Sequence, residues 1–219
     1  MLKEKDTQIN KTEISQAISD GGIGQFWDEP TLANVWQKNL TLEEFLQLPE
    51  TQPASEYVNG HITEKPMPQG KHSILQYELA SAINNLVKPP KIALAFPELR
   101  CTFGARSIVP DLTVFAWERI PIDDQGDIVN HFQLCPDWTI EILSPNQDSG
   151  PVTKNILHCL KHGSSMGWLI DPNERNMIVF PRQQQPALLE VNTEILPVPT
   201  LVSELELTLG DLFNWLKLG

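Results

Sequence analysis

Two apolar segments that each carry a single acid constrain the fold of this chain more than any other feature. Residues 109–114, "VPDLTV", and residues 138–145, "WTIEILSP", are rich in the β-branched and aromatic residues of buried strands. Asp111 lies near the start of the first segment, and Glu141 lies between two isoleucines in the second. A buried carboxylate is unfavourable unless it is neutralised, paired or bound to a metal. The two acids therefore either occupy harmless strand edges or serve a function.

The two acids can meet only if their strands are neighbours. Side chains alternate between the faces of a strand, so Asp111 and Glu141 would then converge at one end of a sheet. Two carboxylates about 4 Å apart repel by roughly 4 kcal/mol at an effective dielectric constant of about 20, and a divalent cation reverses that penalty. Such oxygen ligands suit Mg²⁺ or Mn²⁺. Alternatively, Asp111 caps a turn and Glu141 pairs with an arginine or a lysine.

The segments that precede these strands predict a short helix, a hairpin and a longer helix. Thr41 and Glu44 have the spacing of a capping box at a helix start. Asn59 and Gly60 stand between short apolar runs and predict a tight hairpin, because both tolerate positive φ. Apolar residues at helical spacing predict an amphipathic helix over residues 70–87, before two prolines.

The second half of the chain predicts a helix, a β-meander and a short final helix. The helix covers residues 152–163, with Gly163 as its C-cap. The order of all these elements predicts an α+β domain, in which helices pack against a mixed, largely antiparallel sheet. We expect this domain to span residues 39–219. Residues 1–38 would form an N-terminal arm that can contact a second subunit.

The overall charge and the cysteines narrow the function classes. The formal net charge of −12 argues against a protein that coats nucleic acid through a basic face, although an enzyme can still grip a polyanion locally. No apolar run approaches the roughly 18 residues of a membrane helix, and the N-terminus lacks the apolar core of a signal peptide. The three cysteines are widely spaced, which predicts reduced and mostly buried thiols. We expect a cytoplasmic protein with no membrane contact.

A series of motifs resembles one known family. "EYVNGHI", "KHSILQYEL", "VPDLTV", "PDWTIEILSP" and "MGWLIDP" follow one another within about residues 40–215. Their order and spacing are similar to those of the putative restriction endonuclease family abundant in cyanobacteria, which belongs to the PD-(D/E)xK nuclease superfamily. The resemblance implies a restriction-endonuclease-like fold, in which helices flank a mixed β-sheet and a metal site lies at a sheet edge.

The resemblance also implies roles for three acids. Asp111 matches the PD element and Glu141 the (D/E) element, so both would be metal ligands, and Glu56 matches an upstream acid of the site. The implied reaction is hydrolysis of DNA phosphodiester bonds with Mg²⁺ or Mn²⁺, because the metal activates a water and polarises the phosphate. Cutting both strands needs two sites, so a homodimer is expected.

The lysine of the superfamily motif is missing from its usual place. Leu143 stands two residues after Glu141, and members of this family commonly supply the lysine from the next helix. Lys154 is the candidate there, although the usual position, counted back from Gly163, falls on Asn155. An offset of one residue turns a side chain by about 100° around a helix. If Lys154 does not reach the site, the protein could bind metal and cut poorly or not at all.

Three further polar residues are candidates for contacting DNA. His72 opens the long helix and would touch a phosphate or steer Glu56, unless it only packs or caps the helix start. Arg100 would line the site or form an ion pair with Glu98. Gln147 follows the second acid-bearing strand and would contact the substrate, although its segment has ordinary loop composition.

Two main functional hypotheses follow. The first is a metal-dependent endonuclease that hydrolyses DNA. The second is a catalytically impaired binding or regulatory module on the nuclease fold, which the missing lysine and the acidic charge favour. A third, weaker interpretation is a structural protein with ordinary edge acids.

Overall fold

The computed structural model of the protein describes residues 40–218. The predicted arm of residues 1–38 and its role in dimerisation lie outside the described residues. The helices within them are α1 (Leu42–Phe45), α2 (Gly70–Val87), α3 (Ser149–His162) and α4 (Leu209–Asn214). The strands are β1 (Ser55–Val58), β2 (His61–Glu64), β3 (Ala93–Pro97), β4 (Cys101–Phe103), β5 (Arg106–Ile108), β6 (Leu112–Ala116), β7 (Trp138–Ile142), β8 (Met166–Asp171), β9 (Asn176–Pro181) and β10 (Ala187–Leu189).

The larger sheet has six strands in the order β10-β9-β8-β7-β6-β3. Neighbouring strands are antiparallel except β7 and β8, which run parallel. A parallel pair requires a crossover connection, and α3 provides it. Strands β8, β9 and β10 form the predicted meander. The mixed, largely antiparallel character that the sequence predicts is therefore confirmed.

The smaller sheet has four strands in the order β2-β1-β5-β4. The predicted hairpin between β1 and β2 is confirmed, with positive φ values of 53° at Asn59 and 85° at Gly60. The sequence predicted one sheet, whereas the strands divide between two. The division falls between β5 and β6, where Pro110 has no backbone N–H to donate and so interrupts the ladder.

One face of the larger sheet is covered by α2. Trp138 and Ile140 of β7 pack there with Leu75, Leu79 and Ile83 of the helix. All five side chains are fully buried and apolar. This face forms the main hydrophobic core of the described domain, and it holds α2 against the sheet.

The opposite face of the larger sheet meets α3 and the smaller sheet. Phe115 of β6 packs against Cys101 of β4, and Leu143 packs in a cluster with Ile156 of α3. The helix lies so close to β8 that a Cβ added at Gly167 would be 2.3 Å from Ile156 Cγ2. Since alternate residues share a face, the two acids of the sequence motifs lie on this side, between the sheets and beside α3.

The structure confirms the two helix ends that carry specific capping signals. Thr41 and Glu44 form the capping box of α1, and Gly163 ends α3 with a φ of 129°. The three cysteines are free and buried. No helix within residues 40–218 is long and apolar enough to cross a membrane.

Candidate active site

The two acids of the sequence motifs meet because β6 and β7 are antiparallel neighbours. Leu112 pairs with Ile140, so the residues one step further along face each other across the two strands. The Asp111 backbone N–H points to Glu141 Oε2 at 3.4 Å, and the Ile142 N–H donates to Asp111 Oδ2 at 2.7 Å. Both acids are 3% exposed. The condition under which the two acids can meet, that their strands are neighbours, is therefore met.

A lysine that the sequence did not single out lies between the two carboxylates. Lys65 Nζ is 2.6 Å from Asp111 Oδ1 and 3.7 Å from Glu141 Oε2. It also donates to the Val109 carbonyl oxygen at 2.6 Å. Lys65 follows β2 directly, and its backbone N–H donates to Ala54 O at 2.9 Å, which extends the hairpin ladder. The hairpin therefore delivers an ammonium group to the two acids.

The first turns of α2 hold Asp111 from the other side. His72 Nε2 lies 3.1 Å from Asp111 Oδ2, and Gln76 Nε2 donates to the Asp111 carbonyl oxygen at 2.7 Å. His72 is buried, and its Nδ1 has no hydrogen-bond partner within the described residues 40–218. The structure thus brings His72 to the site, where it contacts Asp111 and not Glu56.

Glu56 is fixed at the edge of the same cluster by two donors. Its Oε1 accepts from the Val109 N–H at 2.8 Å, and its Oε2 accepts from Asn155 Nδ2 at 2.8 Å. Both Glu56 and Asn155 are buried. Asn155 stands at the position where the family resemblance implies a lysine, and here an amide takes the inward position on α3 and holds Glu56.

The cluster perturbs the pKa values of its members in opposite directions. Burial alone would raise the pKa of Asp111, but the Lys65 ammonium and the His72 ring outweigh it and lower the pKa to about 2. Burial raises the pKa of Glu141 well above its usual range; Lys65 opposes this shift, and the Asp111 charge adds to it. Burial would lower the pKa of Lys65, but the surrounding carboxylates raise it above its usual value. Two acids that differ this strongly are typical of functional sites.

The cluster contains oxygen atoms of the kind that bind small divalent cations. Within the described part of the chain, no three His, Cys, Asp or Glu side chains are grouped so as to hold a metal ion. However, Asp111 Oδ1, Glu141 Oε2 and the Val109 carbonyl oxygen all lie within 3.7 Å of one nitrogen, Lys65 Nζ. Mg²⁺ is commonly held by one or two carboxylates and keeps several waters. The oxygen set therefore suits Mg²⁺ or Mn²⁺, for which the Lys65 ammonium competes.

Lys154, the lysine expected to complete the site, points to solvent. Its side chain is exposed on α3, whereas the next residue, Asn155, is buried. A step of one residue around a helix turns the side chain by about 100°, which separates the two orientations. The structure does not bring Lys154 to the two acids.

Arg100 and Gln147 make their contacts elsewhere. The Arg100 Nε and Nη2 atoms donate to the Glu50 carboxylate at 2.8 and 2.6 Å, and Nη1 donates to Ser107 Oγ. The predicted pair between Arg100 and Glu98 is wrong, because the chain turns at Glu98 with a φ of 48°. Gln147 Oε1 accepts from the Ser144 N–H at 2.9 Å and so closes the turn after β7.

A groove opens beside the acid cluster at the N-terminus of α2. Its volume is about 250 Å³, and its lining includes Gln69, Lys71, His72, Leu143, Pro145 and Asn173. Gln69 forms no side-chain cap, and the first turn of α2 contains no acid. The helix end therefore leaves backbone N–H groups and a positive dipole end toward this side, which favours anions.

Comparison with known proteins agrees with this arrangement. A family model described as "Uma2: Putative restriction endonuclease" matches residues 42–210. The chain belongs to this family. A crystal structure described as a putative nuclease belonging to DUF820, from Anabaena variabilis, is 58% identical to the chain. The match covers 81% of this chain and 99% of that one, with a TM-score of 0.80. No curated protein matches the chain.

These matches confirm the family resemblance that the motifs carry. They also confirm the α+β fold of helices and mixed sheets, since a family structure superposes on most of the chain. The matched region extends from α1 into α4 and contains every residue of the acid cluster.

Proposed function

We propose that the protein is a metal-dependent endonuclease that hydrolyses DNA phosphodiester bonds. The observation that supports this most is the convergence of Asp111, Glu141 and the Val109 carbonyl on one buried position. Buried acids need a cation to offset them, and here a single Lys65 ammonium faces two carboxylates. A nuclease of this kind acts inside the cell, which agrees with the cytoplasmic location expected from the sequence.

The metal, when bound, would supply a Lewis acid for the phosphate and lower the pKa of an attacking water. Asp111 and Glu141 would hold it. Asp111 is oriented for this by His72 and by the Ile142 N–H, which leave its Oδ1 directed at the cation position. Glu56 would act as an accessory acid that fixes the Val109 backbone, because it accepts from that N–H.

The groove at the start of α2 would hold the substrate backbone. Its helix N-terminus, Lys71 and His72 provide the local attraction that a chain of net charge −12 lacks overall. Contacts of Arg100 and Gln147 with DNA stay predictions, whereas the exposed Lys154 has no role in this proposal. A homodimer would place two such sites on the two strands of a duplex.

A second candidate function has an observation of its own. Asn155 occupies the usual lysine position of the family, and a lysine ammonium already satisfies the two acids. Both features favour a catalytically impaired nuclease-fold module that binds DNA without cutting it. The two candidates differ in whether metal produces cleavage.

Nicking of supercoiled plasmid in Mg²⁺ or Mn²⁺ separates these candidates. We expect the unaltered chain to nick DNA and Glu141→Gln to lose that activity, because the amide cannot offer a charged ligand. Glu204→Gln changes an exposed acid and is the matched control. DNA binding with no cleavage in either metal would favour the impaired module, and neither binding nor cleavage would contradict both.

A further inference from the structure

We propose that Lys65, on the hairpin, is the catalytic lysine of this chain and contacts the phosphate that is cut. This inference rests on the proposed nuclease function. It assigns to the β1–β2 hairpin a role that the family resemblance places on the helix after β7.

The position of Lys65 is set by the backbone on both sides. The ladder bond from its N–H to Ala54 O fixes the end of the hairpin, and the Val109 carbonyl accepts from its Nζ. This carbonyl belongs to the segment between β5 and β6, which Glu56 also holds. The ammonium therefore has a neutral anchor that is independent of the two acids.

One hydrogen-bond donor of Lys65 is left for a substrate. An ammonium group has three donors. One goes to Val109 O and one to Asp111 Oδ1, both at 2.6 Å, whereas Glu141 Oε2 lies at 3.7 Å, beyond normal hydrogen-bond distance. The Lys65 side chain is 17% exposed, compared with 4% for each acid. Lys65 is thus the most exposed of these three side chains, as contact with an incoming phosphate requires.

The other lysines of residues 40–218 are all exposed. Lys154 and Lys161 lie on the outer side of α3, and Lys71 points across the groove to Asn173 Oδ1 at 3.4 Å. Among the described lysines, Lys65 alone contacts either of the two acids. Asn155 takes the inward place on α3, so the hairpin provides the positive charge that the helix lacks.

The chemical role needs no proton from Lys65. The oxygen of the attacking water forms a bond to phosphorus and releases a proton to solvent. The bond from phosphorus to the leaving sugar oxygen breaks, and this oxygen keeps the electron pair and takes a proton from water. Lys65 donates a hydrogen bond to a non-bridging phosphate oxygen, where negative charge builds up in the transition state.

The test compares single-turnover plasmid nicking by Lys65→Met, Lys65→Arg and Lys154→Met in the full chain. We expect Lys65→Met to slow cleavage by about 10²-fold or more, as removal of one charge-stabilising donor does. Lys65→Arg retains the charge and should be less impaired. Lys154→Met should cut within about twofold of the unaltered chain, as should Lys88→Met, which changes another exposed lysine.

Calorimetric titration with Mn²⁺ in the absence of DNA separates catalysis from folding. We expect Lys65→Met to bind Mn²⁺ at least as tightly as the unaltered chain, because the competing ammonium is gone. Lost Mn²⁺ binding in a folded Lys65→Met would overturn the inference in favour of a structural role. If circular dichroism shows that Lys65→Met is unfolded, Lys65→Gln and Lys65→Arg carry the comparison, with only the arginine expected to cut.

The outcomes distinguish the two proposals. Equal cleavage by the unaltered chain and Lys65→Met overturns the role of Lys65 and leaves the nuclease function intact. If Lys154→Met loses cleavage and Lys65→Met retains it, the catalytic lysine lies on the helix instead. An unaltered chain that cuts no DNA in either metal overturns both proposals.

Discussion

Two ion pairs of the described domain have the same closest distance and opposite surroundings. Arg100 Nη2 and Glu50 Oε2 are 2.6 Å apart, as are Lys65 Nζ and Asp111 Oδ1. The Glu50 side chain is 68% exposed, whereas that of Asp111 is 4% exposed. Water can therefore solvate the Glu50 carboxylate, whereas the Asp111 carboxylate depends mainly on protein groups.

The two pairs also differ in their balance of charge. Arg100 faces one acid in a two-pronged pair, which lowers the pKa of Glu50 through a hydrogen bond that outweighs partial burial. Lys65 faces Asp111, Glu141 and the nearby Glu56. A buried excess of acid over base contributes little to folding and often costs stability. The buried cluster is therefore better explained as a site that binds a cation than as a contribution to the stability of the fold.

The largest expected difference concerns cleavage. Glu141→Ala should reduce metal-dependent nicking by about 10³-fold or more, because the charge stabilisation of a bound metal is worth several kcal/mol. Glu50→Ala should nick at a rate within about tenfold of that of the unaltered chain, since it breaks a pair whose acid is exposed. Quantitative plasmid nicking in Mg²⁺ measures both. Equal losses in the two variants would remove the functional distinction between the pairs.

The next difference concerns stability. Lys65→Met should lower the free energy of unfolding by about 3–5 kcal/mol, because it leaves buried carboxylates without their cation. Arg100→Gln should lower it by about 1 kcal/mol or less. Urea unfolding of both variants provides the measurement, with Mg²⁺ expected to restore more stability to Lys65→Met. A larger loss in Arg100→Gln would contradict the account of the buried cluster.

A smaller effect is expected at the edge of the cluster. Asn155→Ala leaves Glu56 Oε2 without its donor and should cost about 1–3 kcal/mol of unfolding free energy. In a double-mutant cycle with Glu56→Gln, the two losses should be non-additive because the residues share one hydrogen bond. Additive losses measured by urea unfolding would show that this contact is not energetically coupled.

The smallest effect concerns salt. The contribution of the Arg100–Glu50 pair should decrease toward zero in about 1 M NaCl, where the screening length falls to about 3 Å. The contribution of Lys65 to Asp111 should change much less, because the Asp111 side chain is 4% exposed, compared with 68% for Glu50. The two contributions are obtained from the unfolding free energies of the unaltered chain, Arg100→Gln and Lys65→Met, each measured at low and at high salt. Equal sensitivity to salt would contradict the assigned difference in solvation.

The face of the strand on which each acid lies could be predicted from the sequence because it depends on local pattern, whereas the pairing of β6 with β7 that brings the acids together is not local. Each acid interrupts an apolar strand, and alternation fixes the face on which it lies. The hairpin at Asn59 and Gly60 and the capping box of Thr41 and Glu44 are equally local signals, and the structure confirms them.

The role of Lys65 could not be predicted from pattern. Its contact with Asp111 joins residues 46 positions apart and depends on how the hairpin packs against the turn before β6. Arg100 likewise finds Glu50, fifty positions away, in place of its neighbour Glu98. The one available signal was that Lys65 directly follows the hairpin bearing Glu56, which placed a basic residue near an acid of the motif.

The one-residue ambiguity between Lys154 and Asn155 shows a second limit of sequence pattern. Helical spacing identifies the apolar side of α3, but adjacent residues at its border differ in direction by about 100°. Asn155 turns inward beside Ile156, which packs closely over Gly167. That contact joins α3 to β8 and has no local signature.

The most direct test of the central claim is a crystal structure determined with Mn²⁺, using its anomalous scattering to locate the ion. The account predicts a peak between the carboxylates of Asp111 and Glu141, with metal–oxygen distances of about 2.1 Å. Lys65 Nζ should then have moved away from Asp111 Oδ1. Mn²⁺ bound only elsewhere, with Lys65 still between the two acids at saturating metal, would contradict the account.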